Sequence, residues 1–144
     1  MPVAVIRTGL VMAPDGGAFE RLLTLARLGL GGPLGSGREW WPWVTLRDTV
    51  RAVTHLIDHP ELSGPFNLAS PGEARQRDIA AAFGRALHRP ALLPAPRLAL
   101  RAVVGEFADS ILASQRVHPV RLTENGFDFE HADLDAAVRW TLRR

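Results

Sequence analysis

Val3-Ala4-Val5-Ile6, running into Arg7-Thr8-Gly9, is the stretch on which the fold of this chain turns. Consecutive apolar, mostly β-branched residues that stop at a loop signal read as a strand buried on both faces. Such strands belong to parallel sheets, whose neighbours are reached by crossover connections and whose two faces are both covered. Pro65-Phe66-Asn67-Leu68-Ala69-Ser70 reads as a second strand, and Trp40-Trp41-Pro42-Trp43-Val44 as an extended segment. An opening parallel strand with so few partners is expected to lie beside strands that this chain does not contain.

Between these segments the periodicity is helical. Asp15 is a suitable N-cap for a helix to about Leu28, with Phe19, Leu22, Leu23 and Ala26 on one face and Gly29 as the stop. A helix from about Asp48 to Asp58 carries Val50, Val53 and Ile57 on one stripe and ends at His59-Pro60. Gln76 to Leu87 has Ile79, Ala82, Phe83, Ala86 and Leu87 at helical spacing. Beyond the Pro-rich joint, shorter helices are expected at 97–104, 108–113 and 133–142, the last capped by Asp133 with Leu134, Ala137, Val138 and Thr141 inward. The order of strands and helices is that of the mixed α/β class.

Composition narrows the function. All 17 basic residues are Arg, there is no Lys, Tyr or Cys, and the formal charge is +2. With almost nothing titrating between His and Arg, the high isoelectric point reports missing buffering groups and no basic surface. The arginines are scattered among acids, so nucleic acid is not an expected partner. Without Cys there is no disulfide framework, no thiolate chemistry and no Cys-type metal site. The apolar runs are too short to span a bilayer and the N-terminus has no secretory pattern, so the expectation is a cytoplasmic protein with no membrane partner. His55 and His59 are one turn apart, but no third ligand stands nearby in sequence, and no metal site is expected.

Several segments taken together resemble one family. They are Val-Ile-Arg-Thr-Gly (5–9), Pro-Asp-Gly-Gly-Ala (14–18), Leu-Gly-Leu-Gly-Gly-Pro-Leu-Gly-Ser-Gly-Arg (28–38), Leu-Ser-Gly-Pro-Phe-Asn-Leu-Ala-Ser-Pro (62–71), Gly-Glu-Phe-Ala-Asp (105–109), Ala-Ser-Gln-Arg-Val-His-Pro (113–119) and Glu-Asn-Gly-Phe-Asp-Phe (124–129). In this order they resemble the C-terminal half of a YfcH-like epimerase-family protein, an extended short-chain dehydrogenase/reductase. The resemblance implies the C-terminal part of a Rossmann-like parallel sheet over residues 1–70, with a substrate-loop insertion, and a small helix-rich substrate-side domain over 71–144. It also implies NAD or NADP as the cofactor of the whole family fold. The glycine fingerprint for the pyrophosphate and the Tyr-x-x-x-Lys pair would lie in the other half. This chain, lacking Tyr, Lys and any G-x-G-x-x-G, supplies no catalytic residue of that apparatus.

Candidate site residues follow. Arg7, Thr8 and Gly9 stand at the carboxyl end of the opening strand, the ligand side of open α/β sheets, and are the candidate cofactor contacts; an ordinary strand exit is the alternative. Gly35, Gly37, Arg38, Trp41 and Trp43 are the candidate substrate contacts. Residues 29–37 include five glycines and read as a loop, which either cradles a ligand or is a surface turn. The tryptophans either form a platform or pack into the core. Against the family pattern, Leu10 replaces an Asn that meets nucleotide-sugars, Trp41 replaces a phosphate-pairing Arg, and Thr45 and Arg47 depart from a His-Ile-Asp-Asp segment in which Asp48 is expected to cap its helix. Both of the first two departures point away from a nucleotide-sugar substrate.

The sequence therefore predicts the substrate-side portion of an NAD(P)-dependent epimerase or oxidoreductase, inactive and without cofactor when isolated, and prone to oligomerise until the missing N-terminal half covers it. The alternative is a stand-alone interaction module that pairs with another chain through the edge of the opening strand.

Overall fold

A computed structural model describes residues 1–15, 17–33, 36–89, 98, 101–102, 105–107 and 113–143. In chain order the elements are β1 (Ala4–Thr8), β2 (Leu10–Met12), α1 (Gly17–Arg27), β3 (Trp43–Thr45), α2 (Leu46–Asp58), β4 (Gly64–Leu68), α3 (Gln76–Leu87), α4 (Val120–Glu124) and α5 (Leu134–Leu142), with a 3₁₀ turn at Gly105–Phe107. The α/β reading holds, and both ladders are parallel: β1 pairs with β4 from Ala4↔Gly64 to Thr8↔Leu68, and β2 with β3 from Leu10↔Trp43 to Met12↔Thr45. β2 was not anticipated, because the loop signal at Gly9 hides it. Gly9 is the point where the strand changes partners. Its N–H donates to the Leu68 carbonyl at 2.9 Å, while the next residue, Leu10, donates to Pro42 at 2.7 Å. A Cβ on Gly9 would stand 2.7 Å from the Pro42 oxygen, so the crossing needs glycine.

Among the described residues two apolar clusters fill the interior, and each draws on both sides of residue 70. Met12, Phe19, Leu23, Ile79, Phe83 and Val138 pack α1, α3 and α5 together around Trp41 and Trp43. Under α2, Ala52 and Leu56 meet Val44, Phe66, Leu68, Leu122 and Phe127, with Ala4 and Ile6 packed against them. α3 has the expected bounds, except that Ala86 faces solvent. Gly29, at φ +81°, lies just beyond the end of α1, where a left-handed residue terminates a helix most cheaply. Asp133 caps α5, accepting from the Ala136 N–H at 2.9 Å. The helices expected at 97–104 and 108–113 lie mostly outside the described residues.

α2 corrects two expectations. Thr45, not Asp48, is its N-cap: the Thr45 hydroxyl accepts from the Asp48 N–H. The second correction concerns Val50, Val53 and Ile57. They face solvent, Val50 at 58% and Ile57 at 71% exposure, and Leu46 continues the stripe. At about 100° per residue, this stripe lies roughly a third of a turn from the Ala52–Leu56 line that enters the core.

The two edges of the β1–β4 ladder differ. On the outer side of β4, the Arg121 guanidinium donates to the Ser63 and Pro65 carbonyls at 2.8 and 2.7 Å and lies 4.2 Å from the centre of the Phe66 ring. Pro65, which has no N–H to offer a neighbour, stands on the same edge. This is how a true sheet edge is closed. β1 has β4 as its only partner strand among the described residues. Its outward face is also bare, with Val5 51% exposed.

Candidate substrate and cofactor site

The substrate-side loop is pinned to the start of α3. Gln76, Arg77 and Trp41 donate their N–H groups to Glu39, Gly37 and Ala74 carbonyls, at 2.8, 3.1 and 3.0 Å. Asp78 closes the helix start by accepting from the Arg75 N–H at 3.0 Å. With its first amides already bonded, this helix end offers no free cradle for an anion. Gly37 is buried at φ +70°, and a Cβ there would meet the Pro33 Cβ at 2.9 Å. Ser36 donates to a Glu39 carboxylate oxygen at 2.9 Å, while the other oxygen, Oε2, is buried without a partner among the described residues. Burial pushes the Glu39 carboxyl up, but bonds from its own N–H, from the Ser36 hydroxyl and from the Ser36 and Gly37 amides outweigh it and leave the group below its ordinary value.

The tryptophans separate by role. Trp43 is core, and its indole N–H is satisfied by the Gly72 carbonyl at 2.7 Å. Trp41 is buried as well, and forms one wall of an apolar cleft with Phe19, Leu22, Ile79 and Phe83, floored by Gly31 and Gly32 and containing a hollow of ≈ 50 Å³. Trp40, the third, has Arg75 and Arg116 at 4.6 and 4.9 Å from its ring centre. Arg116 and His118 both reach the Glu73 carboxylate at 2.8 Å. The hydrogen bond from Arg116 is the main cause that holds Glu73 below its ordinary value. Sequence reading missed this cluster because Glu73 and Arg116 are 43 positions apart, beyond any local spacing signal.

Of the candidate substrate contacts, Trp41 lines the cleft, Gly37 is buried and bonded to Arg77 at the start of α3, Trp43 is core, Arg38 is exposed, and Gly35 lies outside the described residues. Arg7 and Thr8 are exposed at the carboxyl end of β1, next to Gly9. These three give a cation, a hydroxyl and a tight crossing, but no run of free amides at a helix start. They do not by themselves fit a dinucleotide. Among the described residues, no three His, Asp or Glu side chains are grouped to hold a metal ion, and no helix is long and apolar enough to cross a membrane.

An epimerase family protein of Mycobacterium tuberculosis is 43% identical over 143 residues, which are 99% of this chain and 48% of the relative. The crystal structure of human epimerase family protein SDR39U1 with NADPH superposes with a TM-score of 0.88 at 35% identity, over 97% of this chain and 48% of the human one. The likeness is to the epimerase family, along one half of its members. The chain spans about half the length of the curated relatives it matches. Residues 95–141 also match a domain of unknown function, DUF1731, which is the C-terminal domain of this family. A nucleoside-diphosphate sugar epimerase from Corynebacterium glutamicum superposes at a TM-score of 0.71 and 28% identity, over 98% of this chain and 26% of that one. The epimerase family resemblance and the Rossmann-like α/β fold read from the sequence therefore both stand.

Proposed function

We propose that this chain is the substrate-side half of an NAD(P)-dependent epimerase-family oxidoreductase, and that it works only with the dinucleotide-binding half in place. The observation that carries the reading is the unfinished inner edge of β1 beside the finished outer edge of β4. A sheet with one closed and one open edge is built to be continued on the open side. The NADPH in the human SDR39U1 structure, which matches this chain over half its length, supports the cofactor class. In this reading Arg7, Thr8 and Gly9 flank the cofactor from the carboxyl end of β1. The cleft walled by Trp41 receives an apolar part of the substrate, and Gly37 holds the wall in place. With neither Tyr nor Lys in the chain, proton transfer belongs to groups on the other half.

The test is a fluorescence titration with NADPH. The chain alone is expected to bind with a Kd above the millimolar range, whereas the chain co-expressed with the remaining half of the Mycobacterium tuberculosis relative binds in the micromolar range. Micromolar binding by the chain alone, or none by the complex, contradicts the proposal.

A further inference from the structure

We propose that the cleft between α1 and α3 takes the alkyl end of an uncharged hydroxy or keto compound, and that this end is what the chain recognises in its substrate. The proposal rests on the functional reading above and adds the substrate's chemical class.

Charge decides first. No side chain among the described lining residues is charged, and Gln76, buried and already partnered, is the only amide. An anion would look to the start of α3. There the amides of Arg75, Gln76, Arg77 and Asp78 already donate, to Asp78 Oδ2 and to the Glu39, Gly37 and Arg75 carbonyls. The loop residue bonded to the Gln76 N–H is itself an acid, Glu39, whose Oε2 is buried without a partner among the described residues. Of the nearby cations, Arg116 is paired with Glu73 and Arg75 lies over the Trp40 ring, while Arg38 and Arg77 are exposed and do not line the cleft. A phosphate group would thus be desolvated here with neither free amides nor a lining cation to receive it.

Size decides second. The hollow measures ≈ 50 Å³. Benzene fills an apolar cavity of about 150 Å³, so a ring does not enter; a methylene is close in size to a water, with its share of about 30 Å³, so the last one or two carbons of a chain do. Gly31 keeps this space free. A Cβ there would stand 2.7 Å from the Ala26 Cα, so the loop lies directly on α1 and offers no side chain to fill the hollow. Apolar walls of this kind favour an alkyl group over water.

The experiment titrates the ¹⁵N-labelled full chain, without dinucleotide, with 2-octanol and follows its amide shifts. Those of Ala26, Gly31, Gly32 and Ile79 are expected to move together, with a sub-millimolar Kd. 1-Cyclohexylethanol, which has the same number of carbons but ends in a ring, and UDP-glucose are expected to bind at least tenfold more weakly. Ala80→Leu, which fills the cleft from α3, is expected to weaken 2-octanol binding at least tenfold. Ala86→Leu, on the solvent side of the same helix, is expected to leave it unchanged. Circular dichroism checks each fold, and Leu22→Ser on the half-buried wall replaces Ala80→Leu if that variant does not fold. No shifts with 2-octanol, shifts that the cleft variant leaves intact, or equal binding of the ring compound or of UDP-glucose overturns the proposal. NADPH binding by the complex with the other half, beside a cleft that takes no alkyl chain, overturns the substrate class and leaves the functional reading standing; an alkyl-filled cleft in a complex that binds no NADPH does the reverse.

Discussion

Asp48 is fully buried, and its two oxygens hold together parts of the chain more than 80 residues apart. They accept from the Glu130 and His131 amides, both at 2.9 Å, and from Arg51 at 2.7 Å. Replacing it with Ala leaves the buried His131 amide and the part-buried Glu130 amide without their acceptor and takes one of its partners from Arg51, and is expected to cost on the order of 3 kcal/mol in urea unfolding. Its misreading as a cap is instructive. Thr45-x-x-Asp48 has the spacing of a capping box, in which the hydroxyl residue caps and the acid sits three positions in. Weighing Thr45 as well as Asp48 would have found the cap. Nothing local could have revealed that the acid turns away to residues 130 and 131. Gly9→Ala forces a methyl onto the Pro42 carbonyl and is expected to lower stability by about 1–3 kcal/mol, read as a drop in Tm. The sequence marked Gly9 as a loop residue without showing what approaches it. Glu73 gives a pH signature. Its carboxyl is held below the ordinary 4.5 in the folded state, chiefly by the Arg116 hydrogen bond, so its contribution is complete above pH 4.5 and is lost as pH falls through the depressed value. Glu73→Gln is expected to lower stability modestly at pH 7, where the contribution is fully present, to flatten the acid limb of the profile below pH 4.5, and to change little once the carboxyl is protonated.

Among the elements, α3 and α5 were legible because the helical period and burial agree, with the Asp133 cap as a further signal for α5. α2 was legible as a helix but not in its orientation. Periodicity located an apolar stripe, while the core contact falls on Ala52 and Leu56, with Thr45 and Asp48 buried beside them. α2 has two apolar flanks, and among the described residues only the Ala52–Leu56 flank is covered. β1 and β4 differ in a way the sequence hints at through Pro65 alone, since Arg121 lies 56 positions away. Removing the guanidinium with Arg121→Ala opens the second edge and is expected to raise self-association, seen by light scattering as a larger mean mass at equal concentration. Val5→Lys, which places a charge on the bare face of β1, is expected to lower it.

For the molecule as a whole, the fold class and the family were readable because many short segments agreed in order. The site was readable only in outline. Trp41 does wall a cleft, but Trp43 is core, and the Trp40–Arg75–Arg116–Glu73 cluster forms only when distant segments meet. What organises the whole is a sheet finished on one side and open on the other. Hydrogen exchange at single-amide resolution tests this most directly, on the chain alone and on its complex with the other half of the family fold. In the chain alone, the amides of Ala4, Ile6 and Thr8 are expected to exchange much faster than those of Val5, Arg7 and Gly9, and to become protected by at least a hundredfold in the complex. Equal protection along β1 in the chain alone, or no change on adding the other half, would contradict the account.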